Sequence, residues 1–498
     1  MRETSDQMPQ SRGSHQPPVI DPPGQLSLLL RQARQHHAAR ELDKAAATCR
    51  EILSGYPDQP EALLLLAEIC TARGRPDEAI DSLRRAIAQN PRAAGLHAAL
   101  GNAQFVARRP DDAVASYRQA LALDPRFVPA HNNLGNALKQ LGRLDEAVAA
   151  YQRSLALKRA SRWHAWPGLA GADGDPPPLT TFWFVSRSKL VHDIEQFRHL
   201  RSRALLPADF DAEIAAYEQL LAELGPSFAR ETFVRLSPLQ RSRIGRSYNR
   251  VIYLADTPTR AESAIDPGLD RVAVEARYRR NTPGVTWLDN LLTPEALAEL
   301  RRFCCDSTIW FDFKHPGGYL GAYINEGFNC RLLLKIADDL RTALPGILGR
   351  LPLTQMWAYK YDQEMTGIGM HADPAVVNVN FWITPDEANL DPESGGLVVH
   401  RAEAPLEWDF QEYNNNPARI ARFLADNDAG HFVVPYRQNR AVIFNSNLFH
   451  ATDRFRFRPG YLNRRINITM LFGNRDARLA ERPAMPDRRR PMTPPSLP

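Results

Sequence analysis

The sequence has 498 residues, of which 44% are hydrophobic and 24% are charged, a balance typical of a folded protein with two or three domains. The net charge is only +5 and the arginines are scattered, so the composition does not support nucleic-acid binding. Five cysteines without paired CxxC spacing argue against a disulfide framework or a zinc knuckle, and they favour a reducing compartment.

The two ends of the chain are predicted to be disordered. Residues 1–24 are polar and proline-rich, and they lack the apolar core of a secretory signal. Residues 476–498 are rich in proline and arginine. Because no apolar run reaches membrane-spanning length, we expect a cytoplasmic protein without membrane contact.

A 34-residue period runs through residues 25–160. Small residues at fixed helical positions let two helices approach closely, and a proline after each second helix prevents its continuation. The residues that recur at this interval are Pro57, Pro91, Pro125, Ala45, Ala79, Ala113 and Ala147. The pattern resembles tetratricopeptide repeats. The resemblance implies an all-α solenoid whose concave face binds a protein or peptide, although such an array can also pack on a neighbouring domain of its own chain.

Residues 161–284 are predicted to form a mainly helical connector. A proline- and glycine-rich break at 166–179 ends the 34-residue period. Two amphipathic helices are predicted beyond it, in SKLVHDIEQFRHL and DFDAEIAAYEQLLAEL. The connector contains no residue pattern that indicates chemistry.

Residues 285–475 follow a different pattern, and the whole chain is therefore predicted to be a multidomain α + β protein. A strand in VTWLDNLL precedes a helix for which Thr293 is the expected N-cap and Pro294 the first residue. Further short strands are predicted in QMWAYKY, VVNVNFWI, GGLVVH, HFVVPY, NRAVIFN and RRINITMLF. Short strands separated by turn residues favour an antiparallel sandwich or jelly roll.

Two residues at the end of one predicted strand are candidate metal ligands. His371 and Asp373 are two positions apart, so that on an extended chain both side chains point to one side. His450, at the end of a distant strand, is the candidate third ligand. Two histidines and one carboxylate are the ligand set of the non-haem Fe(II) oxygenases. An HxD pair by itself is more typical of a turn, so its sequence context decides between the two interpretations.

The context resembles the 2-oxoglutarate- and Fe(II)-dependent oxygenases, and the pattern is nearest to the prolyl-hydroxylase-like branch. A strand and helix, a tyrosine strand, HxD, SGG, a second histidine and RRINIT occur in the family's order. The resemblance implies a double-stranded β-helix, a distorted jelly roll, that uses Fe(II), 2-oxoglutarate and O₂. It implies His371, Asp373 and His450 as iron ligands, with Arg465, Tyr361, Asn380 and Trp382 as co-substrate-binding or pocket residues.

Three features depart from the family pattern or stay open. Arg465 follows the second histidine at a longer spacing than usual, so Arg464 is an alternative, although face parity with Asn467 and Thr469 favours Arg465. A long insertion at 401–430 is a lid or substrate wall, or else a structural flap. The glycine- and aromatic-rich segment 313–328 is a substrate-side loop or a structural loop.

The other histidines are predicted to be structural. His97 and His131 occupy matching repeat positions, where packing in the core or groove is expected. His315, His400 and His431 have no partners at ligand spacing.

The predicted function is hydroxylation of a C–H bond. Halogenases of the same family replace the ligand carboxylate with a small residue, whereas this chain has Asp373. The repeats favour a protein or peptide substrate held by the solenoid groove. The alternatives are a protein-interaction scaffold with a non-catalytic β-domain, and an oxygenase for a small-molecule or carrier-bound substrate. A metal-binding β-barrel isomerase, or a dioxygenase that does not use 2-oxoglutarate, would not require Arg465.

Overall fold

The computed structural model describes residues 22–164, 183–225, 228, 232–258, 262–313, 318–365, 367–427 and 430–475. Most of the arm predicted at 1–24, the whole tail at 476–498 and the break at 166–179 lie outside these residues. The chain divides into two compact units, Met1–Ala137 and Leu138–Pro498.

The N-terminal helices reproduce the 34-residue period. They are α1 (Pro22–Ala38), α2 (Leu42–Gly55), α3 (Pro60–Ala72), α4 (Pro76–Gln89), α5 (Ala94–Val106), α6 (Pro110–Leu123), α7 (Val128–Gln140) and α8 (Leu144–Arg159). Helices α3, α5 and α7 begin at residues 60, 94 and 128, and α2, α4, α6 and α8 begin at 42, 76, 110 and 144, so each set repeats every 34 residues. Residues 22–24, which the sequence assigned to the arm, are the first residues described, and they belong to α1.

Close helix packing explains the small residues of the period. Ala79 and Ala113 have no exposed surface. At Gly101 a β-carbon would lie 2.6 Å from the ring of Tyr117, so only glycine lets that ring lie against the helix. The two repeat histidines also have matching roles, since His97 Nε2 and His131 Nε2 each donate over 2.9 Å to the carbonyl of the proline six residues earlier.

The boundary between the compact units falls within α7, so helix α8 belongs to the second unit. There α8 packs against the short turn at 324–326 and against a later helix at 331–343. Lys158 Nζ and Arg159 Nε contact Glu326 at 3.1 and 2.7 Å. The side chain of Leu155 would lie 3.1 Å from a β-carbon at Gly327, whose φ of 109° also favours glycine. The last repeat helix therefore packs on the chain's own C-terminal unit.

The described part of 161–284, predicted to be a helical connector, contains helices and a small antiparallel pair of strands. Its elements are β1 (Phe184–Ser186), α9 (Arg187–Ser202), α10 (Asp211–Leu224), β2 (Phe233–Arg235), α11 (Pro238–Ile244) and α12 (Arg271–Arg280). The elements from β1 to α11 share a hydrophobic core that includes Phe197, Phe210 and Tyr217, whereas α12 packs against a later strand at 285–288.

The remainder of the second unit is rich in antiparallel sheet. Its elements are β3 (Val285–Leu288), α13 (Pro294–Asp306), β4 (Tyr319–Tyr323), α14 (Arg331–Ala343), β5 (Leu353–Tyr361), β6 (Glu364–Met365), β7 (Val377–Trp382), β8 (Leu397–Glu403), α15 (Phe410–Asn414), α16 (Pro417–Asp426), β9 (His431–Val434), β10 (Ala441–Asn445), β11 (Leu448–Thr452), β12 (Phe455–Arg456) and β13 (Ile466–Phe472). The N-cap prediction at α13 is confirmed, since the Thr293 side chain accepts from Ala296 N and Pro294 is the first helical residue.

The strands form one large sheet and two smaller ones. A six-stranded sheet has the order β3-β10-β7-β13-β5-β4, a three-stranded sheet the order β11-β8-β9, and β12 pairs with β6. Every pairing is antiparallel. One hydrophobic cluster draws residues from the large and the three-stranded sheets, such as Val442 and Phe444 from β10 and Leu397 and Val399 from β8. The core therefore lies between these two sheets.

Candidate metal centre

The structure brings the three predicted metal ligands together. His371 and His450 form an isolated antiparallel bridge, with N–O distances of 3.0 and 2.8 Å in the two directions. One ligand atom from each of His371, Asp373 and His450 lies within 4.8 Å of the others, and this is the one such cluster within the described ranges. Asp373 thus faces His450, which lies 79 positions after His371 in the chain.

Both imidazole rings are oriented by backbone carbonyls. His371 Nδ1 lies 2.8 Å from the carbonyl oxygen of Gly369, and His450 Nδ1 lies 3.0 Å from that of Leu448. Because a carbonyl oxygen only accepts hydrogen bonds, Nδ1 of each neutral ring carries the proton and Nε2 carries the lone pair. The Nε2 atoms of His371 and His450 lie 3.9 and 3.4 Å from the carboxylate of Asp373. Three electron-pair donors therefore converge on one point.

The Asp373 carboxylate is buried and oriented by a neighbour. Asn378 Nδ2 donates to its Oδ2 over 2.8 Å. Burial raises the pKa of Asp373. In the metal-free site, when the imidazoles are protonated, the hydrogen bond with His450 and the charges of both rings, together with the Asn378 bond, outweigh burial, so the pKa is lowered from its ordinary value. Asp373 is thus held in the anionic form that binds cations.

Arg465 is a fully buried cation whose guanidinium has two unpaired nitrogen atoms. Its Nε donates to the carbonyl of Gly395 over 2.9 Å, and within the described ranges Nη1 and Nη2 have no hydrogen-bond partner. Four aromatic rings surround it at centroid distances of 4.8 to 5.9 Å, those of Tyr361, Phe455, Trp382 and Tyr436. Burial lowers the pKa of Arg465, but a guanidinium stays charged in proteins.

The neighbouring Arg464 has a different environment. Its Nε contacts Glu195 at 2.8 Å and its Nη1 contacts Asp362 at 2.7 Å. Both of these ion pairs are with carboxylates of the same chain, Nη1 also donates to the Tyr361 carbonyl over 3.4 Å, and Glu195 lies on connector helix α9. Of the two arginines considered from the sequence, Arg465 is the one whose terminal nitrogens have no hydrogen-bond partner in the described chain.

The predicted pocket residues share the inner face of the large sheet with Arg465. Tyr361 N bonds to the Arg465 carbonyl, Trp382 pairs with Asn467, and Asn380 pairs with Thr469. Asn380 Nδ2 donates to the Thr469 hydroxyl over 3.0 Å. Several buried side-chain atoms here lack a partner in the described part of the chain, namely Tyr361 Oη, Asn378 Oδ1, Asn380 Oδ1 and Trp382 Nε1. Such a set of buried polar atoms can hydrogen-bond to a polar ligand or to ordered water.

An aromatic row beside this face was not predicted as part of the site. Tyr319 on β4 lies 4.9 Å from the ring of Tyr359 on β5, and Trp357 lies 6.3 Å from Tyr359. The Tyr323 and Tyr359 hydroxyls are 3.2 Å apart. Strand β4 occupies part of the segment 313–328 predicted as a loop, of which residues 314–317 lie outside the described residues. The alternation of aromatic residues in WAYKY indicates that the aromatic side chains of β5 lie on one face.

Two of the remaining histidines pair with each other away from the cluster. His400 on β8 and His431 on β9 are register partners whose ring centroids are 5.3 Å apart. His315 lies outside the described residues.

Comparison with known proteins identifies the repeats. Two tetratricopeptide-repeat family models match residues 36–103 and 98–162. Residues 36–162 are therefore tetratricopeptide repeats, which commonly bind other proteins. No curated protein matches the sequence.

Three of the solved structures that resemble part of the chain are the following. The MamA protein is 24% identical over 27% of this chain and 73% of its own, with a TM-score of 0.25. A mutant O-GlcNAc transferase from Thermobaculum terrenum is 26% identical over 27% of this chain and 26% of its own, with a TM-score of 0.26. A thermophilic tetratricopeptide-repeat protein of Thermus thermophilus is 26% identical over 27% of this chain and 74% of its own, with a TM-score of 0.25.

Two further properties concern the helices and the cysteines. Among the described residues, no helix has the length and apolar character needed to cross a lipid bilayer. All five cysteines are buried free thiols.

Proposed function

We propose that the second unit is an Fe(II)- and 2-oxoglutarate-dependent dioxygenase that hydroxylates a C–H bond. The observation that carries the proposal is the pairing of a two-histidine, one-carboxylate cluster with a buried arginine whose two terminal nitrogens lack partners in the described chain. The cluster suits a divalent cation, and the arginine suits a carboxylate. On this proposal the large and the three-stranded sheets form the double-stranded β-helix of that family.

The donor set fits ferrous iron. His371 Nε2, His450 Nε2 and an Asp373 oxygen would hold the ion on one side, which leaves its other positions for co-substrate and O₂. Each ligand has an orienting partner, namely the Gly369 carbonyl, the Leu448 carbonyl and the Asn378 amide. Such outer partners fix the ring orientation and raise ligand basicity.

The surroundings of Arg465 fit one end of a dicarboxylate. Its Nη1 and Nη2 would donate two parallel hydrogen bonds to the distal carboxylate of 2-oxoglutarate, and this ion pair would neutralise a charge that is otherwise buried alone. The Tyr361 hydroxyl, whose ring lies 4.8 Å from the guanidinium carbon, would add a third donor. The aromatic rings around Arg465 exclude water and so strengthen the interaction.

The residues of this chain contribute geometry and shielding, while the bound groups contribute the redox chemistry. When bound, Fe(II), 2-oxoglutarate and O₂ supply an oxidative decarboxylation that yields succinate, CO₂ and hydroxylated product. The carboxylate of Asp373 occupies the ligand position that halogenases leave open for chloride, which favours hydroxylation. Arg465 and Tyr361 orient the co-substrate, and the buried core keeps water from competing.

The substrate that the repeats favour is a protein or peptide. Tetratricopeptide repeats that hold a partner would raise its effective concentration at the second unit of the same chain. A protein-interaction scaffold without catalysis is the second candidate, and the repeats alone favour it. A small-molecule or carrier-bound substrate is compatible with the same metal centre.

Succinate formation tests the proposal. Iron-loaded protein supplied with 2-oxoglutarate and O₂ is expected to form succinate, and Asp373→Ala and His450→Ala are each expected to abolish it because the ligand set is then incomplete. A charge-transfer absorption band in anaerobic protein with Fe(II) and 2-oxoglutarate would report an assembled site. Unchanged turnover in either variant would refute the ligand assignment, and absence of both signals in the unaltered protein would favour the scaffold.

A further inference from the structure

The insertion between β8 and β9 touches the residue that separates two of the candidate metal ligands. Ala372 lies between His371 and Asp373, and both of its backbone polar groups bond to helix α15 of the insertion. Ala372 N donates to the Tyr413 carbonyl over 3.0 Å, and Asn414 Nδ2 donates to the Ala372 carbonyl over 2.8 Å. The Ala372 side chain is fully buried.

The same insertion packs against the residue before the third candidate ligand. Phe449 precedes His450 and has no exposed surface. Its ring lies 6.2 Å from that of Trp408 and 5.8 Å from that of Phe423, both contributed by the insertion. Both ligand-bearing segments are therefore in direct contact with one added piece of chain.

Arg475 holds the insertion in place from the end of the described chain. Its Nη1 donates to the Trp408 carbonyl over 2.9 Å and its Nη2 to the Pro405 carbonyl over 2.6 Å. Its Nε donates to Asn447 Oδ1 over 2.7 Å, and its guanidinium carbon lies 4.0 Å from the centroid of the Tyr413 ring. Arg475 is nearly fully buried, so these contacts are shielded from water.

The ligand segment needs such support because it is not part of a strand. His371 makes only an isolated bridge, and residues 372 and 373 have no regular secondary structure. His371 bonds to His450, and Asp373 bonds to Ser446 through its N–H over 3.1 Å and its carbonyl over 3.3 Å, so it is the Ala372 backbone between the two ligands that depends on other contacts. The contacts to Ala372 from Tyr413 and Asn414 provide them.

We propose that the insertion at 401–430 is a brace for the metal centre, with Asn414 and Arg475 as its positioning residues. This inference rests on the proposed metal site but requires no turnover. Asn414 fixes the backbone between His371 and Asp373, and Arg475 fixes the helix that carries Asn414. A brace of this kind replaces the strand pairing that the ligand segment lacks.

Metal affinity tests the brace directly. Anaerobic titration with Co(II), followed by visible absorption, gives the dissociation constant and the ligand field of the bound ion. Asn414→Ala is expected to weaken Co(II) binding by about 10–100-fold, the usual cost of losing an orienting partner, and to shift the absorption bands at saturating metal. The matched control is Asn415→Ala. Asn415 is exposed, and its side-chain amide donates to Gln411 within the same helical segment, away from Ala372.

A second variant separates the brace from general folding. Arg475→Lys keeps a buried cation but cannot reach the Trp408 and Pro405 carbonyls and Asn447 together, so a smaller loss of affinity in the same direction is expected. Thermal unfolding of each variant shows whether the fold is retained.

The outcomes distinguish this inference from the proposed function. If Asn414→Ala folds and binds Co(II) with the affinity and spectrum of Asn415→Ala, the brace is wrong, whatever the activity. If the unaltered protein binds no Co(II), both the brace and the proposed function are wrong. If Co(II) binding behaves as expected but no succinate forms, the brace stands and the proposed function fails.

Discussion

Two adjacent arginines before β13 lie in opposite electrostatic environments. Arg464 contacts two carboxylates of its own chain, whereas the terminal nitrogens of the buried Arg465 have no partner in the described chain. A buried ion pair loses much of its Coulomb gain to desolvation, and a buried charge without a partner bears that cost uncompensated. Arg465 is therefore poorly explained by stability, and its environment supports the proposed binding of an anion.

Replacement of each arginine by methionine should separate stability from binding. Arg464→Met leaves Glu195 and Asp362 without their cation and should lower the free energy of unfolding by about 3–5 kcal/mol. Arg465→Met removes an unpaired buried charge, so the ligand-free protein should lose no stability, while the thermal stabilisation by 2-oxoglutarate with Fe(II) should vanish. Differential scanning fluorimetry with and without 2-oxoglutarate measures both effects. Equal destabilisation by the two replacements would contradict this assignment.

At the scale of elements, helix α8 is held to the rest of the second unit by Glu326, whose carboxylate pairs with Lys158 and Arg159. Burial raises the pKa of Glu326, but Arg159 and Lys158 lower it more, so the folded protein holds this pKa below the ordinary value of 4.5. A carboxyl group with a depressed folded pKa contributes stability above its unfolded pKa. That contribution is lost as the pH falls through the folded pKa.

Glu326→Gln should therefore destabilise the protein in a pH-dependent manner. At pH 7 the free energy of unfolding should fall by about 2 kcal/mol, as is typical of partly buried charged hydrogen bonds. The difference from the unaltered protein should shrink as the pH falls below 4.5, where Glu326 in the unfolded chain becomes protonated. Urea unfolding of both proteins between pH 7 and pH values below 4.5 measures this difference in the free energy of unfolding. Asp145→Asn, which removes a more exposed ion pair with Arg331, should have little effect at any pH.

The sequence predicts best those elements whose structure is determined by residues close together along the chain. The repeat helices follow from a period in which Ala79 or Gly101 is small because a neighbouring helix lies there. Face parity along the strand that becomes β13 favoured Arg465 over Arg464, since alternation of side chains along a strand is local as well. The two-residue strands β6 and β12 were missed because two residues carry no periodicity.

Contacts between distant segments were beyond prediction. His450 is a candidate from its place at the end of a predicted strand, and the family resemblance implies the same role, but its bridge to His371 depends on the sheet as a whole. Nothing in the sequence of the insertion indicates that Asn414 bonds to Ala372, and the two interpretations of 401–430 therefore stayed open. The missing partners of the Arg465 guanidinium, within the described chain, are likewise a property of its surroundings.

At the scale of the whole molecule, the division between the two compact units predicts what a shortened chain retains. A chain that begins at Asp124 keeps α7, α8 and the whole second unit. It should bind Fe(II) and 2-oxoglutarate and form succinate without substrate at the rate of the full chain. Hydroxylation of a protein partner should fall by about 100-fold or more, since the repeats would no longer raise its local concentration.

The matched comparison is a chain that begins at Ser161 and so also lacks α8. It loses the Lys158 and Arg159 contacts to Glu326 and the packing of Leu155, and its melting temperature should be clearly lower than that of the chain beginning at Asp124. Mass spectrometry of a captured partner and thermal denaturation check the two expectations. A Ser161 chain as stable as the longer one would contradict the role given to α8.

The boundary inside α7 has a consequence for how such a protein can diversify. The second unit keeps the final repeat helix as part of its own body, so hairpins ahead of Val128 can be gained, lost or exchanged in steps of 34 residues without disturbing it. Lineages that share the second unit would then differ in the partners they bind through the number of hairpins they carry.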